Sequence, residues 1–216
     1  MTEERAFTLQ DILRAVSGAM ETPVVVILIL LMAAAVFLLG WLLAEALGPR
    51  RRWRADLPRL LDALRQSGGA EEMADCIQKS GLLGRQKQAL LELLRHPDFT
   101  PLMRESLAAR LVDREQARYD RQLKYSELIT RLGPVFGLLG TLIPLGPGII
   151  ALGQGDTFTL SQSMMTAFDT TVAGLLAAAL ATVITAVRRG WYRDYVGALE
   201  TVADGLLESL KEETPC

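Results

Sequence analysis

Residues 132–153 read LGPVFGLLGTLIPLGPGIIALG and contain no charged side chain. A helix of about 20 apolar residues crosses the roughly 30 Å hydrocarbon core of a bilayer. Residues 22–44 are equally free of charge, and residues 166–187 contain a single charged side chain, that of Asp169. Hydrophobic residues make up 50% of the 216-residue chain. The sequence therefore predicts an integral membrane protein with three spans and excludes an ordinary soluble monomer.

The arginines predict how the chain crosses the membrane. They cluster after the first span, within residues 48–54, and after the third span, within residues 188–193, whereas residues 154–165 contain no Lys or Arg. Since positive charge is enriched on the cytoplasmic side, we expect the N-terminus outside and the C-terminus inside, in a cell (inner) membrane. The predicted segments are an outer N-terminal segment 1–21, transmembrane helices 22–44, 132–153 and 166–187, a cytoplasmic helical segment 48–131, an outer loop 154–165 and a cytoplasmic C-terminal helix 188–216.

The second and third spans are expected to continue as long helices into the cytoplasm. Neither Gly nor Pro follows Pro101 until Gly133, so this region should join the second span as one helix. The third span continues into an apolar stripe at helical spacing, and we expect such stripes on the two helices to pack against each other. The stripe residues are Leu107, Leu111, Leu123 and Leu128 before the second span, and Leu199, Val202, Leu206 and Leu210 after the third. The predicted fold class is an all-α integral membrane protein.

Aromatic residues mark the end of the third span. Trp191, Tyr192 and Tyr195 lie among arginines within residues 188–195. Because aromatic rings and arginines are both enriched at the membrane–water boundary, we interpret this segment as the inner interface.

Small residues and hydroxyls form one face on each of the later spans. Gly133, Gly137 and Gly140 have spacings that let helix backbones approach closely. Gly137 shares a helical face with Thr141, Pro144 and Gly148, and on the third span Thr171, Gly174, Ala178 and Thr182 do the same, followed by Thr185. Two interpretations stay open: the faces line a shared lumen, or they form a tight helix contact in which the hydroxyls bond to their own backbone.

Asp169 is the only carboxylate within the three apolar runs. It lies 19 residues before Arg188, or about 28 Å along a helix, which places it near the outer end of the third span. An acid in a span is a functional candidate by default, so Asp169 belongs either to a proton path or to a cap and interface position. Similar counting places Thr141 about 15 Å from Arg131 and Thr171 about 26 Å from Arg188, so these hydroxyls share a layer only if Arg131 lies within the long helix at a different height.

The sequence offers little for enzymatic chemistry. It contains one histidine and two cysteines, without the ligand spacing of a metal site. Gly153–Asp156 reads GQGD, like an intramembrane aspartyl protease motif, but that chemistry needs a second aspartate in an adjacent span. GxxxxGK[ST] is absent, and the net charge of −2 does not favour nucleic acid. We therefore predict no enzyme, cofactor, metal or nucleic-acid site.

Two motifs resemble the MotA/TolQ/ExbB proton channel family: GLLGTL at residues 137–142 and AFDTTVAGL at residues 167–175. The resemblance implies a pentameric ring around a single-span partner related to ExbD, TolR or MotB, which carries the proton-binding aspartate. It also implies that Thr141 and Thr171 line the path. The sequence departs from the family at the prolines Pro144 and Pro147, and at Thr166, where one branch has an acid.

The expected function is therefore that of a stator-like proton-channel subunit. With its partner, it would use the ion gradient to drive mechanical work or transport across the envelope. The candidate pathway residues are Thr141, Asp169, Thr171 and Thr182. The alternative is a non-conducting membrane scaffold that recruits cytoplasmic partners, in which the small-residue faces serve only for packing.

Overall fold

The computed structural model describes residue 16 and residues 18–48, 57–96 and 99–212. Within these ranges the regular structure is helical: α1 is Glu21–Leu47, α2 is Leu57–Gln66, α3 is Ala70–Lys79, α4 is Gly84–Leu94, α5 is Pro101–Gly153 and α6 is Thr157–Glu212. The arginines between residues 50 and 54, and most of the segment 1–21, lie outside the described residues.

The predicted fold class is confirmed. Helices α1, α5 and α6 are long and apolar enough to cross a membrane, and α5 and α6 contain 53 and 56 residues. Helix α5 runs without interruption through Pro134, Pro144 and Pro147. The segment that begins at Pro101 and the second predicted span are thus one helix.

The connection between α5 and α6 is shorter than the predicted loop 154–165. Helix α6 begins at Thr157, directly after Asp156. The Asp156 carboxylate accepts hydrogen bonds from the backbone N–H of Thr159, at 3.0 Å, and from its hydroxyl. Gly155 has a φ of 77°, a left-handed conformation that suits glycine in a tight turn. A helix cap and a glycine turn therefore let α6 start nine residues before the predicted span (166 − 157 = 9).

The chain divides into two compact units, residues 1–40 with 125–185 and residues 41–124 with 186–216. In the first unit, α1 packs on α5 and α6 through small side chains. Ala35 of α1 is fully buried against Ile129 of α5 and against Ala177 and Ala181 of α6. Close packing of three long helices thus forms this unit.

The second unit has a leucine-rich core. The α6 stripe predicted from the sequence is buried here, but it packs largely against α2, α3 and α4. Leu128 of the other predicted stripe is 54% exposed. The expectation that the two stripes pack against each other is confirmed in part, because Leu111 of α5 packs against the core that contains the α6 stripe. The three short helices cover the rest of the α6 stripe. The core residues of the short helices are Leu60, Leu64, Met73, Ile77, Leu90 and Leu93.

The tyrosines of the predicted interface collar are buried in this second unit. Tyr192 and Tyr195 are 5% and 3% exposed and form a cluster with Tyr119 and Leu123. The Tyr119 and Tyr192 rings stack at 4.5 Å between centroids. Burial raises the pKa of Tyr192 to about 12, helped by the nearby carboxylate of Glu45. These two tyrosines therefore pack in a protein core and do not present their rings to lipid headgroups. The position of this segment at the inner interface stays a prediction.

Arg188 departs from the collar prediction for the same reason. It is 4% exposed, and its Nε lies 3.7 Å from a carboxylate oxygen of Glu45 on α1. Arg189 and Arg193 are exposed. Only part of the predicted basic collar is therefore available to solvent or to lipid headgroups.

Candidate functional site

Glycines bring α5 and α6 into backbone contact in the first unit. A Cβ atom added to Gly133 would lie 2.6 Å from the carbonyl oxygen of Gly174, and one added to Gly174 would lie 2.5 Å from the carbonyl oxygen of Gly133. A Cβ on Gly140 would lie 2.6 Å from the Cβ of Thr170. These approaches exclude any side chain larger than hydrogen without a shift of the helices. The predicted small faces thus contact each other.

The same contacts define the antiparallel register of the two helices. Gly133 faces Ala178 as well as Gly174. Further along α5, Gly148 faces Ser163, and a Cβ atom added to Gly148 would lie 3.0 Å from the Cβ of Ser163. Moving forward along α5 therefore moves backward along α6 by a similar number of residues.

This register places Thr141 and Thr171 in nearly the same layer. Thr141 directly follows Gly140, whose neighbour on α6 is Thr170, and Thr171 directly follows Thr170. The condition for a shared layer is met, because Arg131 lies within the long helix α5 and is not level with Arg188. Arg131 lies between Thr130, which faces Thr182, and Gly133, so it is level with uncharged residues of α6.

Both threonine hydroxyls donate to their own helix. Thr141 Oγ1 donates to the Leu138 carbonyl at 2.7 Å, and Thr171 Oγ1 donates to the Ala167 carbonyl at 3.1 Å. Both residues are half-buried. Since a hydroxyl has one proton and two lone pairs, each oxygen keeps the capacity to accept a hydrogen bond from water.

A second group of hydroxyls joins α5 to α6. Thr185 Oγ1 lies 2.7 Å from Ser126 Oγ, and Thr182 Oγ1 lies 3.4 Å from Thr130 Oγ1. Ser126 is fully buried. Ser126 and Thr130 were missed because the predicted span began after Arg131. The signal was present in the spacing, since Ser126, Thr130, Gly133 and Gly137 follow one another at steps of 4, 3 and 4.

Asp169 is exposed on α6. It is the thirteenth residue of that helix (169 − 157 + 1 = 13), whereas the cap is formed by Asp156. The interpretation of Asp169 as a helix cap or N-terminal dipole partner is therefore wrong, because the dipole effect falls off within the first turn. Asp169 lies close in sequence to Thr171 and nearly level with Thr141 in the register.

Most of the remaining predicted residues lie along the α5–α6 contact. Pro144, Gly148, Gly174 and Ala178 are buried. A Cβ on Gly137 would meet Gly174 and Thr170 at 3.5 Å, which is an ordinary van der Waals distance. In the described ranges, no group of three His, Cys, Asp or Glu side chains is arranged to hold a metal ion.

Much apolar surface of the three long helices is left uncovered. In the most apolar 18-residue stretch of each helix, 17% of the residues of α1, 28% of those of α5 and 33% of those of α6 are buried within the chain. Phe168, Val172 and Leu176 of α6 are each more than half exposed. Apolar surface of this extent requires lipid or another protein chain to cover it.

A family model described as the MotA/TolQ/ExbB proton channel family matches residues 86–201, which is more than half of the chain. The matched region contains all of α5 and most of α6, including every glycine contact between them. No curated protein matches the sequence.

Proposed function

The chain belongs to the MotA/TolQ/ExbB proton channel family, and we propose that it is the channel-forming subunit of a stator-like complex. Its single-span partner, related to ExbD, TolR or MotB, carries the proton-binding aspartate. Together they use the ion gradient to drive mechanical work or transport across the envelope.

The observation that carries this proposal is the common layer of Thr141 and Thr171. Each hydroxyl already donates to its own backbone, so its oxygen presents lone pairs. Such oxygens hold water in an otherwise apolar surface and position a proton on its way to an acid. A threonine hydroxyl does not take up and release protons as a carboxylate does. The proton-binding carboxylate is therefore supplied by the partner.

Proton transfer supplies the driving force. A charge that crosses the field releases about 2.3 kcal/mol per 100 mV. Protonation neutralises the partner's aspartate, which then leaves the hydrated face and passes apolar surface at a much lower cost in solvation. Loss of the proton on the other side restores the charge, so that movement of the partner against the ring is coupled to flux.

The other pathway candidates are Asp169, which lies in this layer, and Thr182, which lies further along the helix pair. Asp169, an exposed carboxylate near Thr171, attracts protons at the entrance. Thr182, with its neighbour Thr130, continues the hydroxyl surface along α5 and α6 away from that entrance. The proposed orientation places the N-terminus outside and the C-terminus in the cytoplasm of a cell (inner) membrane.

Assembly follows from the uncovered apolar surface. A single copy of the chain buries at most a third of the residues in the most apolar stretch of each long helix. We propose that copies of the chain cover part of this surface for one another in a homo-oligomer, with five subunits as the family resemblance implies, and that lipid covers the rest.

The test is proton flux in vesicles that contain the chain and its partner. Thr171→Val keeps the side-chain shape and removes the hydroxyl, so we expect flux to fall by about tenfold or more, or roughly 1.4 kcal/mol on the barrier, with the assembly intact. Thr201→Val is the matched control, because the Thr201 hydroxyl also bonds to the carbonyl four residues before it, at Gly197, but lies outside the proposed spans. Normal flux in Thr171→Val refutes the assignment.

The alternative function is a non-conducting scaffold, and the glycine contacts are the observation that favours it. Gly133 and Gly174 leave no space between α5 and α6, so these faces serve for packing whether or not ions pass. An absence of proton flux in the wild-type complex, together with a dry centre in the assembled ring, would select the scaffold.

A further inference from the structure

A basic groove in the second unit lies between α4 and α5. Its volume is about 630 Å³, which is within the range typical of small-molecule sites. Four arginines line it: Arg85 from α4, and Arg110, Arg114 and Arg118 from α5. The proposed channel function uses none of them.

Among the residues that the structure describes, no carboxylate forms an ion pair with the four arginines of this groove. Arg110, Arg114 and Arg118 follow each other at four-residue spacing, which places like charges on one face of α5 at a cost of a few tenths of a kcal/mol per pair. No described carboxylate lies within 4 Å of these guanidinium groups or of the Arg85 guanidinium. Glu92, which also lines the groove, pairs with Arg95. The arginines are therefore available to an anion.

The groove also offers an apolar wall and a buried acceptor. Ala89, Leu107 and Leu111 line it between the arginines. Glu115 lines it as well, and its Oε2 atom is buried without a hydrogen-bond partner. A buried carboxylate oxygen without a donor is costly. Because the Glu115 side chain as a whole is only half-buried, its rotation toward the groove would let this oxygen accept a hydrogen bond from a ligand N–H or O–H group.

We propose that this groove binds a phosphate-bearing small molecule of the nucleoside polyphosphate class. The planar guanidinium groups suit bidentate contacts with phosphate oxygens. The apolar wall suits a flat base, and the sugar or base supplies the donor for Glu115. Recognition of this kind uses side chains and needs no phosphate-binding glycine loop.

The experiment is calorimetric titration of the full-length chain in lipid nanodiscs with ATP and, separately, with inorganic tripolyphosphate. We expect both to bind, ATP more tightly, and the affinity to fall as salt is raised. The double variant Arg110→Gln/Arg114→Gln should weaken ATP by about tenfold or more, equivalent to roughly 1.4 kcal/mol. Arg110 and Arg114 are both exposed, so the variant should fold normally.

Two further variants distinguish binding in the groove from nonspecific attraction of ATP to the positive charge of α5. Arg121→Gln removes one positive charge from the same helix, outside the groove lining, and should change the ATP affinity by less than about twofold; the loss in the double variant is compared with it per charge removed. Glu115→Gln should weaken ATP and leave tripolyphosphate unchanged. Equal losses in Arg121→Gln and in the groove variant, no binding of either probe, or equal affinity for the two probes would each overturn the proposal. None of these outcomes bears on proton flux, so the channel proposal is tested separately.

Discussion

The two units of the chain are packed in different ways. In the first unit, helices meet through Gly133, Gly174, Ala35 and Ala181. In the second unit, they meet through large side chains, with Leu90 and others fully buried. The same chain thus uses backbone approach in one unit and a leucine core in the other.

The difference follows from the surrounding solvent. In water, burial of apolar area is the main force that joins helices, so large side chains are favoured. In a bilayer, lipid tails are as apolar as leucine, and helices associate through close van der Waals contact and hydrogen bonds. The first unit leaves residues such as Phe168 and Val172 exposed, whereas the second exposes arginines. The packing pattern alone therefore indicates which unit belongs in lipid.

The largest expected effect comes from truncating the leucine core. Leu206 is fully buried, so Leu206→Ala should destabilise the second unit by about 2–5 kcal/mol, since it removes apolar contacts and leaves a cavity. Leu176→Ala in the first unit is the control, because Leu176 is 53% exposed, and its effect should stay within about 0.5 kcal/mol. Thermal unfolding in detergent, followed by circular dichroism, measures both. Equal shifts would contradict the contrast between the two units.

The next effect concerns the glycine contact. Gly174→Ala should cost about 1–3 kcal/mol, because the added Cβ overlaps backbone atoms of α5 that have no flexible end to move. Gly137→Ala is the matched control, since its Cβ would meet neighbours at ordinary distances, 3.5 Å and beyond. Thermal unfolding in nanodiscs tests the pair. A loss in Gly137→Ala as large as that in Gly174→Ala would show that the register is wrong.

Much of the first unit was predictable from the sequence. Uncharged runs of span length predict the three helices, and small residues at steps of three and four predict which faces meet. The depth of each helix was not predictable from charge, because Arg131 lies level with uncharged α6 residues. A long side chain permits this, since its charged end reaches solvent while its stem lies along apolar surface.

The second unit was less predictable. Stripes such as Leu199 to Leu210 predict a buried face but not its partner, and three short helices cover it. The tyrosines near Arg188 show the same limit: an aromatic–basic cluster is typical of a membrane interface, yet Tyr192 and Tyr195 are buried. Local composition cannot distinguish the two cases, because Tyr suits both a half-apolar interface and a packed core.

A smaller effect is expected where hydroxyls cross between α5 and α6. Ser126→Ala should cost about 0.6 kcal/mol, the typical value for a side-chain hydrogen bond in a membrane protein, because the Thr185 hydroxyl keeps its bond to the Ala181 carbonyl. Ser106→Ala is the control, since the Ser106 hydroxyl bonds only to Leu102 on its own exposed turn. Thermal unfolding in nanodiscs compares the two. A loss above that of Gly174→Ala would mean that hydrogen bonds, not backbone contact, hold the first unit together.

The smallest expected effect is a pH dependence confined to the start of α6. Hydrogen bonds from the Thr159 hydroxyl and N–H lower the pKa of Asp156 below its ordinary value of 3.8. Because the pKa is lower in the folded state, the charged cap stabilises the start of α6 above pH 3.8, and this stabilisation is lost as the pH falls through the pKa of the folded state. Asp156→Asn keeps a capping oxygen that does not titrate. When the pH is lowered, the rate of amide hydrogen exchange at Thr159, divided by its intrinsic rate, should therefore rise more in the wild type than in this variant. Parallel exchange profiles in the two proteins would show that the early start of α6 comes from the Gly155 turn and not from the carboxylate.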